Sequence, residues 1–388
     1  MLGPTSRFLI RSVGSSSVIL VAVRQLLGFP LLMAGRVTVT LQSGSLGHRF
    51  GVNAIASNEQ GQLYSAGRDG TVRCWDTQDG GVLEHTLDDH TDWVNGVAIV
   101  QPGVLASCSS DRTVKIWALP KGSDGTVHSE TLGRHGDCAK AIAFAPQRGL
   151  LASAGFDCRL LLWDPQRVSP IAASVTPSAS EVGLVHQDSM YCVDCNAAGT
   201  LLATGSVDAD VRLWDPRDLR SSLRMRGHTD VVRSVLLCDD GVRALSCASD
   251  GRVHVWHLGE RRCEQVISQH GASVLSLRMY RQHVLSGCAN GEVRLSHLTS
   301  GSSCLLCRAP SSVLSMQVER QRERLWVASV SSTLLSWDLS GLAVPVAGFE
   351  DPTLEARAMS AAADPAVAEA PMLQQPMLTI KGSDGIKR

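Results

Sequence analysis

Aromatic side chains are scarce, at 4% of the 388 residues. A single-stranded nucleic-acid binder needs stacking rings interleaved with basic groups, and this composition does not offer them. Charge of one sign is also lacking. Thirty-six Lys and Arg against 37 Asp and Glu leave a formal net charge of −1, so no overall field favours a polyanion. No nucleic-acid partner is expected. No long apolar run survives inspection either. Ser17–Leu32 is interrupted by Arg24, Gln25 and Pro30, whereas a spanning helix needs about 20 predominantly apolar residues. No membrane span is expected. No nucleophile elbow, Walker loop or metal-ligand motif is legible in the sequence, so no enzyme activity, cofactor or metal is expected.

Acidic residues are absent before Glu59, while Arg7, Arg11, Arg24, Arg36 and Arg49 precede it. Residues 1–35 therefore read as an N-terminal extension, disordered or targeting-like, and organelle import is one reading of it. Cysteine is not scarce: there are 12. They are scattered through strand-like stretches, as at Cys74, Cys108, Cys158 and Cys247. That usage suits reduced, buried thiols in the cytoplasm or nucleus. The pairs Cys192/Cys195 and Cys304/Cys307 have CxxC spacing, but on a strand i and i+3 face opposite sides, which is poor for joint ligation.

What the chain does contain is a repeat. LYSAGRDGTVRCWD (63–76), LASCSSDRTVKIWA (105–118), LLASAGFDCRLLLWD (150–164) and LLATGSVDADVRLWDPR (201–217) are its fullest copies, followed by weaker ones at 244–258, 284–298 and 325–339. Trp75, Trp117, Trp163, Trp214, Trp256, a substituted Ser296 and Trp337 form one column, with steps of 42, 46, 51, 42, 40 and 41 residues. This period, ending in Trp-Asp, marks four-stranded propeller blades. The expected fold is an all-β WD40 β-propeller over residues 36–338 with seven recognisable repeats. Residues 339–388, rich in Ala and Pro, are expected to be flexible.

Within each full repeat a hydroxyl, an Asp and the Trp keep fixed spacing, and a His opens the unit. The sets are His48, Ser65, Asp69 and Trp75; His90, Ser107, Asp111 and Trp117; His135, Ser153, Asp157 and Trp163; His186, Thr204, Asp208 and Trp214; and His228, Ser246, Asp250 and Trp256. A buried carboxylate in a tight turn must be paired, so these residues are expected to form a structural relay. Five copies at one spacing argue against a catalytic triad, which needs a single constellation in a single pocket. Repeat six keeps His270 and Ser286 but carries Asn290 and Ser296 at the Asp and Trp positions. Repeat seven has neither the His nor the Asp.

More specific wording lies in RFGVNAI (49–55), HTDWVNGV (90–97), ASAGFDCRLLLWD (152–164), GTLLATGS (199–206) and GHTDVVRSVLL (227–237). Together these runs resemble the WD repeat-containing protein 48 family, WD-repeat cofactors that bind and activate ubiquitin-specific proteases. The likeness extends from about Arg36 to Trp337. It implies an eight-bladed ring followed by an ancillary domain. Here RVTVTLQ (36–42) looks like the strand that closes the ring on the last blade, and only 376–388 resembles the entry to an eighth blade. An incomplete eight-bladed ring in a truncated chain is the expectation.

Two columns are expected on the partner-docking face. Five residues after each His come Asn53, Asn95, Lys140, Tyr191, Arg233 and Leu275, and before each turn Asp or Asn come Arg68, Ser110, Phe156, Val207, Ser249 and Ala289. Trp93 lies in the same region. Arg, Lys, Tyr, Phe and Trp are interface hot-spot types, so Arg233, Lys140, Tyr191, Asn95, Trp93, Arg68 and Phe156 are the partner-binding candidates. The resemblance implies that the protease is held by a basic residue matched by Arg233, and by a Trp and an Arg where this chain has Leu275 and Ala289. The expected function is a non-catalytic scaffold that activates a ubiquitin-specific protease. The alternative is a cullin-RING substrate receptor, reaching its ubiquitin-ligase adaptor through the WD-x-R box Trp214-Asp215-Pro216-Arg217.

Overall fold

The computed structural model describes residues 37–41, 47–78, 81–120, 125–167, 169–174 and 184–340. The expectations for residues 1–35 and for the stretch beyond 340 lie outside them. Among the described residues there are 28 strands and no helix. They form seven four-stranded antiparallel sheets.

The first blade is typical. Its inner strand β2 (Val52–Ser57) is followed outward by β3 (Gln62–Gly67), β4 (Val72–Asp76) and β5 (Val82–Leu87). The middle strands are buried on both faces, as in LYSAG, because a neighbouring blade covers each side. The outermost strand alternates between exposed and covered residues, the period-2 pattern of a strand with one solvated face. Continuous apolar runs mark inner and middle strands, and alternating ones mark the rim.

The core is divided among the seams. Trp117 of blade two packs with Tyr64, Ala66 and Val72 of blade one. Trp163 likewise meets Ala106, Cys108 and Val114 of blade two, and Trp214 meets the blade-three strands. Trp256 packs on Ala203, Val211 and Leu213 of blade four, and Trp337 on blade six. Each repeat Trp therefore fastens its blade to the preceding one. Truncating such a buried indole costs about 3–5 kcal/mol. The seam between blades five and six has no Trp. Ser296 occupies that column, and the contact is made by aliphatics such as Val253, Leu277 and Val284.

The ring closes at seven blades, which corrects the expectation of an incomplete eight-bladed ring. Val52, Ile55, Leu63 and Trp75 of blade one share a core with Trp326, Ala328 and Leu334 of blade seven. Blade seven consists of β26 (Val313–Glu319), β27 (Arg324–Ser329) and β28 (Leu334–Asp338), with its outer strand β1 (Val37–Leu41) supplied from the start of the chain. β1 runs antiparallel to β28, pairing Val37 with Trp337 and Leu41 with Leu334.

Candidate functional site

The relay fixes the loops of one face. In blade one, Trp75 Nε1–H donates to Ser65 Oγ at 2.8 Å, Ser65 Oγ meets His48 Nε2 at 2.8 Å, and His48 Nδ1 meets Asp69 at 2.9 Å. Blades two to five repeat these contacts within 2.7–3.0 Å, through His90/Asp111, His135/Asp157, His186/Asp208 and His228/Asp250. An indole N–H only donates. The Asp carboxylate only accepts, so His Nδ1–H donates to it; Nε2 then accepts the hydroxyl O–H, while the hydroxyl oxygen accepts the indole N–H.

Each carboxylate also accepts the backbone N–H just after the His, as from Arg49 at 3.1 Å and Gly136 at 2.8 Å. It ties down its own turn as well, through Thr71 N–H and Thr113 N–H. Burial raises the pKa of Asp111, but its bonds from Thr113 and His90 win and hold it at about 2. Asp69, Asp157, Asp208 and Asp250 are lowered by the same balance. His90, His186 and His228 are pushed down by burial, against the pull of their aspartates. The hydroxyls of Ser65, Ser107, Ser153, Thr204 and Ser246 are all on residues with no exposure. A nucleophile has to reach its substrate, and these hydroxyls have no exposure through which to do so; their bonds run to the loops of this face.

On the face so held, a basic and aromatic cluster spans blades one to five. Arg68 lies over the Trp93 ring at 4.9 Å, and Trp93 is 47% exposed. Arg68 Nε donates to Asn53 Oδ1 at 3.0 Å. Tyr191 is flanked by Arg233 at 4.6 Å and by Lys140 at 5.9 Å, and Phe156 packs on its ring at 5.1 Å. Arg233 Nε donates to Ser249 Oγ at 2.8 Å. Arg68, Lys140, Arg233, Tyr191 and Phe156 are all half-buried. Burial pushes the Lys140 ammonium down, and the charges of Arg68 and Arg233 add to that effect. None of the ion pairs among the described residues uses Arg68, Lys140 or Arg233. Three cations lie over aromatic faces with no carboxylate of the described residues within salt-bridge distance.

Asn95 departs from the expectation of a partner contact. It is 8% exposed, and its Nδ2 donates to Ser110 Oγ at 3.0 Å and to Ala139 O at 2.9 Å. It braces blade two against blade three. Two residues not singled out by the loop columns join the face: Phe50 and Val330 are 61% and 38% exposed. Both lie by the seam of blades one and seven, where a Cβ added to Gly51, the residue after Phe50, would lie 3.0 Å from Val330 O. Phe50 sits two residues after His48, a position that the column reading skipped. Leu275 and Ala289 in blade six are half-buried and uncharged. Arg68, Lys140 and Arg233 thus stand among the exposed Asp92, Asp137, Asp188 and Asp230 of the same loops, whereas the matching blade-six positions are uncharged.

Arg217 of the WD-x-R box lies at the opposite end of β16 (Val211–Asp215) from the turn that carries Asp208. Its side chain is 78% exposed and grips Asp215 through Nη2 at 2.6 Å and Nε at 3.0 Å. That pairing pulls Asp215 down to about 2.

Five segments of the chain, residues 39–76, 81–118, 126–164, 182–215 and 219–257, match the family described as WD domain, G-beta repeat. They end before the two blades whose relay departs from the pattern.

Proposed function

We infer that this WD-repeat protein, its five matched repeats built into a seven-bladed ring, docks a ubiquitin-specific protease on the face carrying Arg68, Lys140, Tyr191 and Arg233. A WD-repeat propeller is a protein-interaction scaffold, and it offers many rigid loops around one rim. The observation that carries the reading is the group of three cations set against Trp93 and Tyr191 with no carboxylate partner among the described residues. Arg and aromatic side chains held in place before binding suit a hot spot, because little order is lost on docking. The resemblance across residues 36–337 supports a ubiquitin-specific protease as the partner. Activation then works by population shift, the propeller contacting the competent state of the protease better than the idle one. With Leu275 and Ala289 in blade six, the grip rests on blades one to five and on the Phe50–Val330 seam.

The test is co-purification of the tagged full chain from cells of its own source, read by mass spectrometry, with Arg233→Glu alongside. Recovery of a ubiquitin-specific protease that drops about thirtyfold or more in the variant, the loss of a 2 kcal/mol hot spot, supports the reading. Equal recovery by both chains removes the docking face. The exposed Arg217 favours a second reading, a ubiquitin-ligase adaptor bound on the opposite face. It requires adaptor recovery that Arg217→Ala abolishes and Arg233→Glu leaves intact.

A further inference from the structure

Blade six has lost two members of the relay, and the consequence is chemical. In blades one to five the Asp, which only accepts, holds the proton on His Nδ1, and the hydroxyl, accepting from the indole, donates to Nε2. With Ser296 in the Trp column, Ser286 Oγ receives no indole proton; Ser296 Oγ instead bonds Ser303 Oγ at 3.0 Å. Ser286 is then free to accept from His270 Nε2–H across their 2.8 Å contact. This leaves His270 Nδ1 as a bare lone pair. It is buried and has no hydrogen-bond partner among the described residues, while His270 is 9% exposed. The Asp that would have met it is Asn290, whose Oδ1 is taken by the Cys288 thiol and by Glu292 N–H at 3.0 Å.

Two other potential ligands stand beside His270. Cys288 is fully buried and Glu292 is 8% exposed. The ligand atoms of His270, Cys288 and Glu292 all lie within 4.8 Å of one another. We propose that this trio is a site for a borderline-soft divalent cation of the Zn²⁺ class, held by His270 Nδ1, Cys288 Sγ and a Glu292 carboxylate oxygen. One nitrogen, one thiolate and one carboxylate form a ligand set suited to zinc. Binding breaks the S–H bond, sends the proton to water and forms the S–metal bond. Thiolate and carboxylate together neutralise the dication. Arg308 Nη2 holds one Glu292 oxygen at 2.6 Å and Arg294 Nε stands 3.6 Å from the other. Arg308 thereby orients the carboxylate from behind, as outer-shell partners do. The ion would clasp the blade where Asp and Trp no longer do, beside the one seam without an indole.

His228, Asp250 and His254 also cluster, but they make a useful contrast. Both His228 nitrogens are already engaged, with Asp250 at 2.8 Å and Ser246 at 2.7 Å, so His254 alone in that group offers a nitrogen without a partner among the described residues.

The experiment is a titration of the chelator-treated full chain with Co²⁺, following the thiolate-to-metal charge-transfer absorbance, then displacement by Zn²⁺. One equivalent of cobalt with a thiolate band, bleached by zinc, is expected. Cys288→Ser should abolish the band and His270→Gln should weaken affinity about tenfold or more, while His254→Gln leaves both unchanged. Circular dichroism checks that the variants are folded. Absence of a thiolate band in the unmodified chain overturns the proposal without any variant. So does a band that persists in folded Cys288→Ser, or one that depends on His254 instead.

Discussion

His254 is buried at 3% exposure, stacked 3.9 Å from the His228 ring, and both its nitrogens lack hydrogen-bond partners among the described residues. Burial, with the nearby His228 acting in the same direction, lowers its pKa to about 4. Its folded pKa lies below the unfolded value of about 6.5. The neutral ring therefore supports the fold above pH 6.5, and that support is lost as pH falls towards 4. His90, His186 and His228 are shifted in the same direction. The relay aspartates follow lower down, with Asp111 losing its contribution between about 4 and 2. The urea midpoint is expected to fall between pH 7.5 and pH 4.5, and a flat profile would contradict this account. Leu161 holds the register position in blade three that His254 holds in blade five, each opposite the relay serine. His254→Leu should raise stability at pH 7 by about 1 kcal/mol, by removing unsatisfied buried nitrogens, and should make the pH profile shallower. At this scale the relay was legible because five copies repeat its spacing. The inward turn of Asn95 was not, because a polar residue in a loop column reads the same whether its amide faces water or Ala139 O.

At the scale of the element, the turn between the second and third strands of each blade asks for a left-handed residue just after the Asp. Gly70, Gly251 and Gly291 supply it with φ of 79°, 77° and 87°. Arg112, Cys158 and Ala209 occupy the same place at 74°, 61° and 61°. A side chain there costs about 1–2 kcal/mol, partly offset because glycine leaves the unfolded chain more freedom, by about 0.4–1 kcal/mol. Ala209→Gly should therefore stabilise by about 0.5–1 kcal/mol in chemical denaturation. Gly251→Ala should do the reverse and by more, since its new Cβ would stand 2.6 Å from His270 O. If both changes prove neutral, the turn is not the strained point the dihedral angles indicate. The sequence announces these turns through Asp-Gly in some blades, but Asp-Cys and Asp-Ala carry no such signal. The relay holds the turn shape there despite the residue.

For the whole molecule, the number of blades was the property least legible from local pattern. The Trp column counts seven, whereas the resemblance points to eight. The decision rests on whether Trp75 and its neighbours fit against Trp326 and Leu334, some 250 residues away in sequence. No spacing rule reports that fit. Closure then depends on β1, whose hydrogen bonds cover the outer edge of β28. A chain beginning at residue 42 would leave β28 with an open edge, and such edges pair with other chains. Its loss should also loosen the core that blades one and seven share, because β28 supplies Leu334 to it. Calorimetry of the shortened chain is expected to show a lower Tm than the full chain, with concentration-dependent association on gel filtration. Val39→Pro in the full chain should reproduce a smaller form of both effects, since proline removes an N–H and is poorly tolerated where a strand must pair. An unchanged Tm in both would mean that the blade-one and blade-seven core holds the ring without its outer strand. The closing strand would then be an edge cover and not a fastener.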